Sequence, residues 1–225
     1  MHIPDGFLSP EVAAGTAVVA AGAVGVGLRR ASARFDDRVV PLLGVTGAFV
    51  FAAQMLNFPV AGGTSGHFLG AALATILLGP WLATLVLAVV LATQCFVFAD
   101  GGISALGANI LCMGVCGALA TGGLMLLARR VLPRRRGVLL AVAGAGAWLA
   151  VIAGAGATAG LLALSRTVPL GTVLPAMLSV HVVIGLGEAA ITVAAVSALM
   201  ATRPDLIGAW AAEPRPAVRA IAQGA

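Results

Sequence analysis

The residues best suited to chemistry stand at the start of the chain, where Met1 is followed by His2. With a free amino terminus, the Met1 α-amine, the deprotonated His2 amide nitrogen and His2 Nδ1 can close fused five- and six-membered rings around one metal ion. These three nitrogens lie nearly in a plane, and a fourth would complete a square-planar site. That geometry is associated with Ni(II) or Cu(II) rather than tetrahedral Zn(II). His67 is the candidate for the fourth nitrogen.

The composition indicates an integral membrane protein. Of the 225 residues, 60% are hydrophobic and only 9% are charged, whereas soluble domains carry roughly 25% charged residues. The 30 glycines suit helices that pack closely in lipid. All the basic residues except the histidines are arginines placed between apolar spans, which is typical of topology signals rather than of a nucleic-acid-binding surface. We therefore expect an all-α, polytopic helical bundle in the cell membrane.

Seven apolar spans define the expected domain. They cover roughly residues 11–28, 39–57, 66–79, 80–98, 103–128, 138–163 and 173–200. The third span is short and is a candidate half-span. Seven crossings place every arginine except Arg166 on one side, which predicts an outside amino terminus and a cytoplasmic carboxyl terminus. We expect one transmembrane metal-binding domain over residues 1–201 and a cytoplasmic tail over residues 202–225.

The amino terminus is expected to survive processing. Asp5 and Glu11 precede the first apolar run and the arginines follow it, which is the reverse of a secretory signal peptide. The bulky His2 side chain also favours retention of Met1. The chelating group at the terminus would therefore be present in the mature protein.

Further polar residues lie near the predicted metal site. Asn57 closes the second span, a glycine-rich loop follows it, and His67 opens the third span, so Asn57, Thr64 and Ser65 are candidates for supporting the metal-binding loop. His181 and Glu188 share one face of the last span and are assigned to a buried hydrogen-bonded network or a partner contact rather than to the metal shell. The buried polar residues Gln54, Gln94 and Asn109 are expected to form hydrogen bonds between helices.

Four blocks of sequence, residues 1–9, 54–60, 63–70 and 181–189, resemble the NikM/CbiM family. Members of this family are the substrate-binding (S) membrane subunits of energy-coupling-factor (ECF) transporters for nickel and cobalt. The resemblance spans almost the whole chain. It implies that the ion is held by the Met1 amine, the His2 amide and imidazole nitrogens and the His67 imidazole. It also implies a membrane scaffold subunit and paired cytoplasmic ATPases as partners, and it allows for a small accessory membrane subunit.

The chain is expected to capture metal without being an enzyme. It has no Gly-x-x-x-x-Gly-Lys-Ser/Thr nucleotide-binding motif and no lysine at all. The energy for transport must then come from partner subunits. Ni(II) is favoured as the transported substrate because the Pro-Asp-Gly-Phe block looks more like the nickel branch, and Co(II) stays open. No organic cofactor is expected.

Two other function classes remain open at the sequence level. Residues 63–66 match the Gly-x-Ser-Gly pattern of rhomboid-type intramembrane serine proteases, with Ser65 as the nucleophile and His181 as its base. That assignment leaves the Met-His terminus unexplained. A stand-alone metal channel or permease is disfavoured because Glu188 is the main carboxylate within the spans, so no proton relay is evident.

Overall fold

The computed structural model describes residues 1–32, 39–60 and 64–207, which form seven α-helices and one β-hairpin. The helices are α1 Pro10–Ser32, α2 Val39–Gln54, α3 Ala71–Leu78, α4 Pro80–Phe98, α5 Leu106–Val131, α6 Arg136–Leu164 and α7 Leu170–Thr202. Strands β1 Asn57–Val60 and β2 Thr64–His67 pair antiparallel between α2 and α3, with Asn57 opposite His67. α5 is π-helical over Ile110–Cys116, and a short 3-10 helix, Pro204–Leu206, follows α7.

The helices confirm the predicted all-α membrane bundle. α1, α4, α5, α6 and α7 are long and apolar enough to cross a bilayer, and α2 is a shorter apolar helix of 16 residues. The chain is therefore a multi-pass membrane protein. The number of complete crossings, the orientation and the boundary between domain and tail stay predictions, and residues 208–225 of the predicted tail lie outside the described residues.

The prediction of an apolar span over residues 66–79 is wrong at its start. Gly66 and His67 belong to β2, and helix α3 begins only at Ala71. With eight residues, α3 is about 12 Å long, which is too short to cross a hydrocarbon core of about 30 Å. The glycine-rich loop expected before His67 also ends early, because β2 begins at Thr64, and residues 61–63 lie outside the described residues.

A glycine makes the turn from the hairpin into α3 possible. Gly70 has a φ of +71°, in the left-handed region that favours glycine. A Cβ atom at this position would lie 2.7 Å from Val50 Cγ2 on α2, closer than van der Waals contact permits. His67 is consequently presented from extended backbone just before this turn, rather than from the first turn of a helix.

The amino terminus is part of the hydrophobic core. Met1 and Ile3 are 0% and 1% exposed, and they belong to the core cluster that also contains Leu69 before α3 and Met113 in α5. Apolar residues of α6 and α7 complete this cluster. Because the first residues are packed among the helices, their position is set by the whole bundle.

Candidate metal centre

The first three residues insert between α4, α5 and α6. A Cβ atom at Gly154 of α6 would lie 3.3 Å from Met1 Sδ, so the absence of a side chain there leaves room for Met1. His2 is 5% exposed and reaches α4, while Ile3 contacts Asn109 of α5. The segment therefore fills the space among three helices.

Polar groups of α5 and the loop before it hold this segment in place. Ile3 N donates to Asn109 Oδ1 at 2.8 Å, and Asn109 Nδ2 donates back to Ile3 O at 3.2 Å. Gly102 N also donates to Ile3 O, at 2.9 Å. The Asp5 carboxylate accepts hydrogen bonds from the backbone N–H groups of Ile103 and Ser104. These bonds satisfy backbone groups that have no helical partner.

The His2 imidazole is oriented by one hydrogen bond. His2 Nε2 lies 3.1 Å from Gln94 Oε1, a carbonyl oxygen that can only accept, so the ring proton is on Nε2 and Nδ1 keeps its lone pair. Nδ1 lies 3.2 Å from Asp100 Oδ1, but the contact lacks hydrogen-bond geometry. The nitrogen predicted to bind metal is thus the one left without a hydrogen bond.

The same pattern holds for His67, which is 0% exposed. His67 Nδ1 donates to Phe68 O at 2.7 Å, and the buried Nε2 has no hydrogen-bond partner. The His2 and His67 rings stack with their centroids 4.6 Å apart and an angle of 28° between their planes. The structure therefore brings together the two imidazoles that the sequence singled out.

Two buried polar side chains hold the segment that follows His67. Glu188 of α7, 3% exposed, accepts from Leu69 N at 2.9 Å and from Gly70 N at 2.6 Å. Gln54 of α2 donates through Nε2 to Leu69 O at 2.7 Å. The carboxylate lies at the amino-terminal end of α3, where its charge is favoured by the helix dipole. This agrees with the prediction that Glu188 belongs to a buried hydrogen-bonded network.

His181, also on α7, is 0% exposed and lies outside this hydrogen-bonded network. Its Nδ1 donates to Met177 O at 2.7 Å within the same helix, and its Nε2 has no hydrogen-bond partner.

The expected role of three buried amides needs correction. Gln54, Gln94 and Asn109 were predicted to form hydrogen bonds between helices, but each one bonds to a non-helical segment that carries or follows a histidine of the site. The sequence signal was their position, since each lies near the end of an apolar helix beside a loop. Periodicity alone does not distinguish a loop partner from a helix partner.

The predicted supporting residues Asn57, Thr64 and Ser65 lie in the hairpin that carries His67. The backbone register opposes Asn57 to His67, Pro59 to Ser65 and Val60 to Thr64. Their support of a metal site stays a prediction.

Two histidine side chains and the buried amino terminus meet at this place. Within residues 1–32, 39–60 and 64–207, no three His, Cys, Asp or Glu side chains group into a metal-binding cluster. The buried nitrogens of Met1 and His2 are, however, prepared for coordination. Burial lowers the pKa of the Met1 α-amine from 8.0 to about 5, and burial together with the charge of that amine lowers the pKa of His2 from 6.5 to about 4. Both groups are therefore neutral at pH 7.

Comparison with known proteins identifies the family. Residues 2–206 match the CbiM family, described as the cobalt uptake substrate-specific transmembrane region. The chain belongs to the CbiM family. A Haloquadratum walsbyi protein named for metal transport is 42% identical over 209 residues, covering 92% of this chain and 93% of that protein. The fused nickel transport protein NikMN of Rhodobacter capsulatus is 34% identical over 227 residues, covering 92% of this chain and 64% of that protein.

A solved structure supports the same fold. The crystal structure of a truncated transition metal transporter matches this CbiM protein with a TM-score of 0.83 and 32% sequence identity, covering 89% of this chain and 99% of that one. As a CbiM protein, the chain is a substrate-specific membrane component of a metal transporter. The protease alternative based on Ser65 and His181 has no support from these relationships.

The two hydrogen bonds of Glu188 predict that this side chain is needed for metal binding. In Glu188→Gln, the side-chain amide can accept only one of the two backbone N–H groups and turns a donor toward the other, so the segment after His67 should lose its fixed position. We expect the affinity for Ni(II) to fall by about 10- to 100-fold, the usual cost of losing a group that positions a metal ligand. Isothermal titration calorimetry on the purified protein measures this.

Thr192→Val is the matched control, because Thr192 is buried on α7 one turn beyond Glu188. It should bind Ni(II) like the wild type. In a His67→Ala background, Glu188→Gln should cause little additional loss, since the predicted ligand that Glu188 positions is already absent. A full additional loss in that background would contradict the positioning role.

Proposed function

We propose that this CbiM protein captures Ni(II), with Co(II) as the second candidate, in a square-planar site of four nitrogens, and that it does so as the substrate-specific subunit of an ECF-type importer. The ligands are the Met1 α-amine, the His2 amide nitrogen, His2 Nδ1 and His67 Nε2. The observation that carries the proposal is the meeting of the His2 and His67 rings beside a buried amino terminus.

The spacing of the two rings supports this ligand set. In a chelate closed by the amine, amide and His2 Nδ1, the open position is opposite the amide and therefore adjacent to Nδ1. When two imidazoles bind in adjacent positions, each about 2 Å from the ion and with their metal–nitrogen bonds at right angles, the ring centroids are about 4.5 Å apart. The distance of 4.6 Å is close to this value. In both rings the second nitrogen donates to an oxygen, an arrangement common among metal-binding histidines.

The ligand set also supports the choice of metal. Displacement of the His2 amide proton requires a cation that strongly favours planar nitrogen coordination, which excludes Mg(II) and Ca(II) and disfavours Zn(II) and Mn(II). The name of the Rhodobacter capsulatus relative refers to nickel, and the description of the family refers to cobalt. Cu(II) also suits this geometry, so its exclusion would depend on metal availability.

Coupling to partner subunits completes the proposal. The chain has no nucleotide-binding motif, so a membrane scaffold and two cytoplasmic ATPases would supply the energy for uptake. The fused Rhodobacter capsulatus relative extends well beyond the region matched by this chain, which supports the participation of at least one further component. Release of the ion requires a second state in which the four-nitrogen site has lower affinity.

The amino terminus provides the most direct test. Gly-Pro added before Met1 converts the α-amine into an amide, and the proline, which has no N–H, prevents a new amino-terminal chelate from forming. Ni(II) binding should weaken by more than about 100-fold, since even groups outside the first ligand shell cost about 10- to 100-fold. Gly-Pro added after Ala225 is the matched control and should change nothing. Titration calorimetry measures affinity, and thermal unfolding reports whether both proteins fold. Wild-type affinity in the folded, amino-terminally extended protein would refute the chelate.

Proton release tests the protonation state of the site. Since the folded pKa values are about 5 for the amine and about 4 for His2, both groups are already neutral at pH 7. Binding should then release about one proton, from the amide, whereas a free Met-His peptide should release about two. Proton competition at the amine should begin only as the pH falls toward 5. Calorimetry in buffers of different ionisation enthalpy counts the protons, and two per ion from the protein at pH 7 would contradict neutral ligands.

Reconstitution tests the need for partners. The isolated protein in vesicles should bind Ni(II) but show no ATP-dependent accumulation, and addition of the scaffold and ATPase subunits should produce uptake. Few carboxylates in the spans argue against proton coupling by the chain alone. Radioactive nickel uptake with and without ATP or a proton gradient measures this. Concentrative uptake by the isolated subunit under a proton gradient would favour the permease alternative.

A further inference from the structure

We propose that Asp100 is a capture ligand, a carboxylate that receives the hydrated divalent cation at the surface and passes it to the buried nitrogens. This inference rests on the proposed four-nitrogen site and adds to it the route by which the ion arrives. The observation behind it is the juxtaposition of one partly exposed carboxylate with the buried Nδ1 of His2.

Exposure distinguishes Asp100 from the proposed ligands. Its side chain is 24% exposed, whereas that of His2 is 4% exposed and both Met1 and His67 are 0% exposed. Of these four residues, Asp100 is the one that solvent reaches most readily. An ion coming from water would therefore reach the Asp100 side chain before it reaches the nitrogens.

The backbone holds Asp100 at a fixed place beside His2. Asp100 N donates to Gln94 O at 3.0 Å, while the Gln94 side chain accepts from His2 Nε2. Gly101 follows with a φ of +95°, and a Cβ atom at this glycine would lie 3.2 Å from His2 Cδ2. Gln94 therefore anchors both the backbone of Asp100 and the imidazole of His2, and Gly101 lets the loop pass close to the ring.

The distance between Asp100 and His2 suits a cation shared by both. Asp100 Oδ1 lies 3.2 Å from His2 Nδ1 without hydrogen-bond geometry, and Oδ2 is buried with no hydrogen-bond partner. A cation about 2 Å from Nδ1, with the oxygen at a right angle, would lie about 2.5 Å from Oδ1, the length of a weak axial bond. The ion can therefore contact the carboxylate and the first nitrogen at the same time.

The order of binding follows from the chemistry of the ligands. A carboxylate exchanges with water on a divalent cation without losing a proton, whereas the His2 amide must be deprotonated before it binds. The carboxylate can therefore hold the ion while the nitrogens replace its water. Because planar Ni(II) gains little from an axial ligand, Asp100 contributes to the rates at which the ion enters and leaves the site more than to the stability of the final complex.

Nearby carboxylates are not equivalent to Asp100. Both oxygens of Asp5 accept hydrogen bonds from Ile103 or Ser104, which commits this residue to holding the amino-terminal segment. Glu11 lies in the first turn of α1 and is exposed. Glu11 therefore offers a charge-matched comparison close to the amino terminus, without the contact to His2.

The test is stopped-flow measurement of Ni(II) association and dissociation on the purified full-length protein. Asp100→Asn keeps the shape and removes the charge, so the association rate constant should fall at least about tenfold. Because the final complex gains little from Asp100, the dissociation rate constant should fall by a similar factor and the equilibrium affinity should stay nearly unchanged. Asp100→Glu, which keeps a carboxylate, should retain most of the wild-type association rate. Glu11→Gln should associate like the wild type, and thermal unfolding should be unchanged in all three variants.

The outcomes separate the two proposals. Wild-type association by Asp100→Asn, or equal slowing by Glu11→Gln, would overturn the capture role and leave the four-nitrogen site intact. Faster dissociation of Asp100→Asn with unchanged association would also overturn it, because Asp100 would then be a resident ligand. If the wild-type protein binds neither Ni(II) nor Co(II), the proposed function fails and the capture role fails with it.

Discussion

The structure depends on satisfying the hydrogen bonds of non-helical backbone inside a helical membrane protein. Where lipid excludes water, a backbone N–H or C=O group without a partner costs several kcal/mol. Two segments of this chain, the amino terminus and the stretch after β2, leave helical geometry within the bundle. Each is held by buried polar side chains that helices supply, among them Asn109 for the first and Glu188 for the second. The same contacts that satisfy the backbone also bring the two histidines together.

The two nitrogens of each imidazole, in His2 and in His67, have different roles. One nitrogen donates to an oxygen supplied by the protein, and the other stays without a hydrogen bond. The donating nitrogen sets both the tautomer and the ring direction, so the lone pair is available before any ligand arrives. Burial adds to this preparation, because it keeps the Met1 amine and the His2 ring neutral at pH 7. Such preorganisation reduces the cost of binding a cation.

Glu188 joins α7, the longest helix among the described residues, to the backbone that follows His67. α7 has 33 residues, and its carboxylate at Glu188 bonds directly to the backbone in front of α3. A displacement of α7 relative to α3 must either carry the His67 segment with it or break two hydrogen bonds. The affinity of the proposed site is thereby linked mechanically to the packing of the bundle, which is the kind of linkage that a transporter needs between capture and release.

The sequence by itself determined the membrane class, most of the helices and the chelating potential of Met1 and His2. These are local properties, since a membrane-spanning helix needs about 20 consecutive apolar residues and the nitrogens of a terminal chelate come from adjacent residues. The tertiary structure decided that Gly66 and His67 lie on a strand, because they pair with Phe58 and Asn57 of β1. Val50 of α2 leaves no room for a side chain at the left-handed turn of Gly70 that follows. The tertiary structure also decided that His67 meets His2, and that Gln94 and Glu188 hold the segments near them. Contacts between residues far apart in the chain depend on how all the helices pack, and no local pattern in the sequence encodes them.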